Sequence, residues 1–475
     1  MLAAKSDNAR FIPLGIAYIA SYCKRDGHVF RIYDEIPGLS KSLEQTLKSF
    51  VPDIVGISCM TATYSQACNY AKEIKKISKK IPIVFGGVHP TVCIEETLKN
   101  KFVDFVVYGE GEETFSEFLE KYETMTDYSN IKGLAYKRNG KIFINKKRPL
   151  IKDINLIPMP DRELFELNYY TQRWNWPRGN WYKTANLMSS RGCPYECTFC
   201  GSKSMFGRTF RAFSVQRTVD EIEYLVKHYG FECLSFSDDT FAINQKRSIE
   251  ICREIKRRGI NAKFRFQFRA NTCYEDLIAA VRDIGCIHID IGAESGSNKI
   301  LKQMKKQITV EEIKESVTRI KRYGIRVGVT FIIGSPDETR EDIEKTKELA
   351  KELRADYTQF FIMTPYPGTE LYQYAKDNDL FPKFHSYDDF RHGGQDLKPF
   401  LNTMITPEKL VLLREELNAS FANTIAKNYI FQPKFLKDLI RNVINHPGII
   451  NKFLRETLRT KSIGSGLKVI LPHKL

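Results

Sequence analysis

From Thr184 onward the chain alternates short apolar runs with amphipathic helical stretches, one pair in roughly every thirty residues. The runs are ANLMSSR, CLSFSDD, AKFRFQFRA, IHIDIGAES, RVGVTFIIG and YTQFFIMTPYPGT. Between them stand stretches such as VQRTVDEIEYLVKHYG, QKRSIEICREIKRRG and VEEIKESVTRIKRYG, each ending on a glycine, as helices often do. Strand, helix, strand in succession requires a crossover, and right-handed crossovers lay the strands parallel. The pattern therefore predicts a partial (β/α)6 barrel, with its reactive groups at the carboxyl ends of the strands.

The first 125 residues alternate in the same way. PLGIAYIASYCKRDG (13–27) reads as a helix, and HVFRIYD (28–34), DIVGISCM (53–60), IPIVFGG (81–87) and VDFVVYGEGEETF (103–115) read as strands or strand-to-helix turns. That order implies a doubly wound, flavodoxin-like α/β domain over 1–125. Residues 126–184 break the rhythm. GLAYKRNGKIFINKK places Asn139-Gly140 between two β-rich runs, which is a hairpin signal, and PMPDRELF and WNWPRGNW follow. The expectation there is an inter-domain linker with its own hairpin, then a barrel core over 185–370 and a helical, basic region over 371–475.

Between the first barrel strand and its helix lies RGCPYECTFC, in which Cys193, Cys197 and Cys200 are spaced C-x3-C-x2-C. Three soft ligands so close together indicate a metal. A structural zinc usually takes four protein ligands, commonly from two short pairs, and none of the other eight cysteines forms a second short pair. An iron–sulfur cluster on three thiolates keeps one iron open for a substrate or cofactor. With eleven cysteines and no secretory signal in MLAAKSDNARF, the chain reads as a cytoplasmic protein with reduced thiols. A mean hydropathy of −0.35 and the lack of a long apolar run argue against a spanning helix. The net charge is +16, and residues 431–475 hold nine Lys and Arg against two Asp and Glu. Basic amphipathic helices of that kind bind anionic bilayers, so peripheral contact at the inner face of the membrane is an expectation for this region.

The cysteine motif after the first strand of a partial barrel resembles that of the radical S-adenosylmethionine (SAM) enzymes. The resemblance implies a [4Fe-4S] cluster on Cys193, Cys197 and Cys200, with SAM chelated at the open iron. It also places Phe199 near the adenine, Glu294 and Ser295 of IGAES near the ribose and methionine of SAM, and Asp238 of SFSDDTF at the SAM amino group. For Asp238 and Asp239 the alternative is capping of the following helix, and GSPDET (334–339) reads either as a family loop near adenine or as an ordinary turn plus N-cap.

PLGIAYIASYCKRDGH, VGISCMTATY, VFGGVHPT and VVYGEGEETF, in that order, resemble the cobalamin (B12)-binding domain that precedes many radical SAM cores. The resemblance implies that Gly86 and Gly87 lie against the cofactor's nucleotide tail and that Ser58 and Thr61 approach the corrin or its tail. His89 reads as a loop residue rather than a cobalt ligand. DEIPG (34–38) has Ile36 where a lower histidine ligand would stand, so cobalamin would bind without a protein imidazole. Only MLAAKSDNARF precedes the PLG segment, so the family's central first strand is expected to be lost.

By this resemblance the chain is a cobalamin-dependent radical SAM enzyme that functionalises an unactivated carbon by methyl transfer. The alternatives are a radical SAM oxidative cyclase or rearrangement enzyme, or a non-enzymatic iron–sulfur or zinc adaptor for nucleic acid. The expected partners of the enzyme are a small-molecule or lipid-like substrate and an electron donor such as flavodoxin or ferredoxin, with no nucleic acid. Arg265, Arg269, Tyr366 and the Trp174–Trp181 stretch are candidates to face the substrate pocket.

Overall fold

The computed structural model describes residues 2–3, 11–36, 40–124, 127–170, 173–175, 181–381, 387–390, 401–429 and 449–460. Along the chain the strands are β1 (Leu2–Ala3), β2 (Val55–Ser58), β3 (Ile83–Gly86), β4 (Phe105–Val107), β5 (Leu134–Arg138), β6 (Lys141–Ile144), β7 (Arg173–Asn175) and β8 (Trp181–Leu187). They continue with β9 (Ser190–Arg191), β10 (Arg211–Ala212), β11 (Cys233–Phe236), β12 (Lys263–Phe268), β13 (Cys286–Glu294), β14 (Arg326–Ile333) and β15 (Tyr357–Ile362). The chain divides into two compact units, one of residues 1–170, 190–217 and 365–398, the other of 171–189, 218–364 and 399–475.

In the first unit six strands pair in the order β1-β2-β3-β4-β5-β6. β1 to β4 run parallel, and β5 and β6 are antiparallel. Alternate residues of each strand serve opposite faces. Ile83, Phe85 and Val106 pack with Ala67, Ala71 and Ile74 of the helix Tyr64–Ile77. Val84 and Val107 pack with Phe115, Phe118 and Leu119 of the helix Glu112–Glu123 on the other side. Both faces are covered, as a doubly wound domain requires.

Two expectations change here. The hairpin assigned to a linker is the antiparallel edge of this sheet, with Phe105 opposite Tyr136. Its turn is the one the sequence indicates, since Asn139 and Gly140 have φ of +50° and +75°. HVFRIYD, in contrast, forms no strand beyond an isolated bridge at Tyr33, and Val29 is 79% exposed. The first strand, expected to be lost, is present among the described residues as β1, with Leu2 opposite Ile57 and Ala3 opposite Ser58. A cavity of about 680 Å³ lies against Ile54–Gly56, lined also by Val29, Phe30, Leu47, Phe50 and Phe115. It sits at the amino-terminal end of β2, away from Ser58.

The second unit carries the expected barrel strands in the order β15-β14-β13-β12-β11-β8, all parallel, with β7 antiparallel to β8 at the edge. One face is apolar: Phe264, Phe266, Ile289, Ile291, Val327, Val329 and Phe331 are buried there. Phe266 stands 4.7 Å from Phe236 and 4.6 Å from Phe241, ring centre to ring centre. The other face bears Arg265, Gln267, His288, Asp290, Glu294, Thr330 and Gln359, as period-two alternation dictates. The helices Val310–Arg322 and Arg340–Leu353 start on capping boxes, Thr309 with Glu312 and Thr339 with Asp342. The end of GSPDET is therefore an N-cap. The helix Pro407–Tyr429 sits against β15, where the Asn418 side chain bonds both the N–H and the carbonyl of Phe360.

Candidate functional site

The three motif cysteines lie on a loop that leaves β9 and returns through β10. Gly192 opens the loop at φ +84°, where a Cβ would stand 2.2 Å from the Thr209 carbonyl oxygen, so no other residue fits. The Cys200 N–H donates to the Cys197 carbonyl at 3.1 Å, and the Thr198 carbonyl accepts from Leu371 N–H at 3.2 Å. Cys193, Cys197 and the neighbouring Phe199 are half-buried and Cys200 is exposed.

Burial pushes Cys23, Cys233, Cys252 and Cys273 up to about 12 and Cys93 up to about 11. It raises Cys59, Cys68 and Cys286 as well. Such groups remain thiols, whereas metals bind thiolates. All eleven cysteines are free of disulfides. Among the described residues no three His, Cys, Asp or Glu side chains are gathered as ligands of a single ion.

At the carboxyl ends of β2 and β3 the structure brings together Ser58, Thr61, Gly86 and Gly87. Ser58 pairs with Gly86 across the ladder. A Cβ on Gly87, at φ +96°, would meet the Cys59 carbonyl oxygen at 2.7 Å and the Ser58 hydroxyl at 2.9 Å. His89, read from the sequence as a loop residue, is fully buried on the short helix Val88–Val92, with Nδ1 3.2 Å from the Thr61 hydroxyl. Its ring lies 4.0 Å from that of Tyr64 and 4.5 Å from that of Tyr387. Burial lowers its pKa to about 4, so it is a neutral imidazole. Ile36 is buried among Ile12, Ile16 and Phe165.

In the second unit Asp238, Glu294 and Ser295 stand at or just beyond strand ends, each already engaged. The Asp238 carboxylate accepts from the Ser189 N–H at 2.7 Å and the Ser189 hydroxyl at 2.6 Å, tying the end of β11 to that of β8. It caps no helix: the N-caps that follow are Thr240 and Asn244. Glu294 holds φ +64° at a register shift between β13 and β14, and Lys306 Nζ donates to it at 2.5 Å. A non-glycine residue at positive φ is strained and persists where its surroundings fix it. Here Gly292 supplies the room, since a Cβ there would lie 2.3 Å from Glu294 Oε1. The Ser295 hydroxyl accepts from Ser297 N–H at 3.1 Å and lies 3.2 Å from the Thr346 hydroxyl.

Sequence reasoning missed a triad on the same polar face, of a buried Arg265, a buried His288 and a partly exposed Asp290. Asp290 accepts from Arg265 Nη2 at 2.9 Å and from His288 Nε2 at 2.7 Å. Burial alone would raise Asp290, but the His288 and Arg265 charges outweigh it and hold the carboxyl at about 2. Arg265, expected to face substrate, is therefore tied to this pair. The signal was the H-x-D spacing within IHIDIGAES together with Gly328 on the next strand. A Cβ on Gly328 would stand 2.2 Å from Asp290 Oδ1. Of the other pocket candidates, Tyr366 donates its hydroxyl proton to the Phe390 carbonyl at 3.0 Å. The Trp174 and Trp181 side chains lie outside the described residues.

Comparison with known proteins matches residues 187–350 to the radical SAM superfamily and residues 4–119 to the B12 binding domain. Over 454 residues the chain is 36% identical to an uncharacterized methyltransferase of Pyrococcus horikoshii, covering 94% of this chain and 93% of that one. The chain belongs to the radical SAM superfamily. Like other radical SAM proteins of this type it has a B12-binding first domain, whose match ends within the helix Glu112–Glu123. It is 29% identical over 385 residues to the anaerobic magnesium-protoporphyrin IX monomethyl ester cyclase of Rubrivivax gelatinosus, over 79% of this chain and 68% of that one. In fold it resembles the radical SAM methyltransferase TsrM of Kitasatospora setae, solved with cobalamin and a [4Fe-4S] cluster. The TM-score is 0.68 at 16% identity, over 79% of this chain and 74% of that one. The motif cysteines and strands β11 to β14 fall inside the radical SAM match.

Proposed function

We propose that this chain is a cobalamin-dependent radical SAM methyltransferase acting on an unactivated carbon of a small-molecule substrate. The observation that carries the reading is a loop with three cysteines between β9 and β10, inside the radical SAM match and behind a B12-binding first domain. Cys193, Cys197 and Cys200 share that loop, whereas six of the other eight cysteines are buried. Those three would hold the [4Fe-4S] cluster, with SAM at its open iron beside Phe199. The Asp238 carboxylate joins strand ends through Ser189 and keeps acceptor sites for the SAM amino group. Ser58, Thr61, Gly86 and Gly87 would receive cobalamin at the carboxyl ends of β2 and β3, where Gly87 lets the two loops pack closely.

When bound, the cluster and SAM supply a 5′-deoxyadenosyl radical and cobalamin supplies a methyl group; the protein contributes orientation and exclusion of water. Asp290, ionised, accepts the Nε2 proton of His288 and one Arg265 proton, which fixes both side chains on the polar face of the sheet. Lys306 fixes the Glu294 carboxylate in the same way. A flavodoxin- or ferredoxin-type protein would supply the electron.

Similarity to the cyclase supports a second reading, oxidative ring formation on the same scaffold. Deuteromethyl SAM separates the two. Methyl transfer yields 5′-deoxyadenosine, S-adenosylhomocysteine and a labelled product, whereas cyclisation leaves the product unlabelled.

No helix among the described residues is long and apolar enough to cross a membrane. Peripheral contact would run through the helix Ile449–Thr460, whose Ile450, Leu454 and Leu458 are exposed at helical spacing beside basic residues.

A further inference from the structure

The cysteine loop lies within the first unit and is closed at its base by a two-residue ladder in which Arg191 stands directly opposite Arg211. Both arginines are buried, at 4% and 8% exposure. Like charges facing each other across a ladder repel, and arginine cannot shed its proton to relieve the repulsion. By itself this neck could not close. Glu110, from the GEGE stretch after β4, bridges the two. Its Oε1 accepts from Arg191 Nη1 at 2.9 Å and its Oε2 from Arg211 Nη1 at 2.7 Å. Glu112 Oε1 accepts from Arg191 Nη2 at 2.6 Å, so two carboxylates meet two guanidiniums. Ile151 completes the arrangement, its N–H donating to Glu110 at 2.9 Å and its carbonyl accepting from Arg211 at 2.8 Å. Cys193 comes two residues after Arg191.

A buried ion network is a poor device for stability alone, since apolar residues of similar size do as well. Its place at the neck of the thiol loop gives it a different use. We propose that Glu110, assisted by Glu112, is a positioning residue for the iron–sulfur cluster: by bridging Arg191 and Arg211 it closes the loop's neck and presets the three thiols. This rests on the reading that Cys193, Cys197 and Cys200 hold the cluster. Glu110 acts through the arginines and touches no reacting atom.

The test reconstitutes the full chain anaerobically with iron and sulfide. It then follows iron release to a chelator and the EPR spectrum of the reduced cluster. Losing one carboxylate leaves buried charge uncompensated, so Glu110→Gln is expected to release iron at least about tenfold faster than wild type, with a shifted or broadened spectrum. Glu110→Gln combined with Arg211→Gln removes the facing charge and is expected to restore slow release. A purely structural role would lower the melting temperature of Glu110→Gln while leaving spectrum and release unchanged well below it; that result overturns the proposal. If Glu110→Gln does not fold, the double variant decides: slow release supports the proposal and fast release overturns it. A wild-type protein that takes up no cluster would instead refute the assignment of the three thiols.

Discussion

His89 shows what burial does to a single side chain. Its imidazole is enclosed by Tyr64, Tyr387 and Thr61 and holds no proton until about pH 4. In the unfolded chain it would protonate near its ordinary 6.5. The folded pKa is depressed, so the stabilisation is complete above 6.5 and is lost as pH falls toward 4. Over that window about 3 kcal/mol of the first unit's stability should disappear on His89's account. Denaturant titrations between pH 7 and pH 4 check this, and His89→Gln should flatten that part of the slope. Gly328 makes the converse case, a residue chosen for what it lacks. Gly328→Ala would drive a methyl group into the Asp290–His288 pair and should cost about 1–3 kcal/mol in denaturant unfolding. Neither effect was legible in sequence, because each depends on neighbours brought in from other elements of the fold. The same holds for Asp238, whose partner Ser189 lies far back in the chain. Cys193, Cys197 and Cys200 could be read because their partners in the motif are local.

Among the elements, periodicity identified the strands and left their pairing open. RVGVTFIIG became a β strand because two parallel neighbours, β13 and β15, flank and bury it. HVFRIYD has equal β propensity, yet among the described residues it forms no more than a bridge at Tyr33, and the tertiary context overrode propensity. The Asn139-Gly140 turn was legible because its backbone conformation is local; that its hairpin would extend the first sheet was not. The helix Ile449–Thr460 gives a prediction at this scale. If Ile450, Leu454 and Leu458 enter a bilayer, the protein should float with vesicles containing anionic lipid and less so in raised salt. Leu454→Glu together with Leu458→Glu should leave it in the soluble fraction. Wild-type protein that stays soluble at low salt would remove membrane contact from the account.

For the whole molecule, the alternation of strands and helices foretold two α/β sheets, and both are present. The interleaving of the units was not foretold. Residues 190–217, which carry the cysteines, belong to the first unit although the adjoining β8 and β11 belong to the second. Chain order cannot show this, because a loop's allegiance is set by its contacts, here those of Arg191 and Arg211 with Glu110 and Glu112. The central claim is that one chain holds two cofactors through the residues named above. The most direct test is metal content after anaerobic reconstitution with iron, sulfide and hydroxocobalamin. It should be run on wild type and on the variant carrying Cys193→Ala, Cys197→Ala and Cys200→Ala. The account predicts about four irons and about one cobalt per wild-type chain, with iron lost and cobalt kept in the variant. A variant that keeps its iron, or a wild type that binds no cobalt, would contradict it.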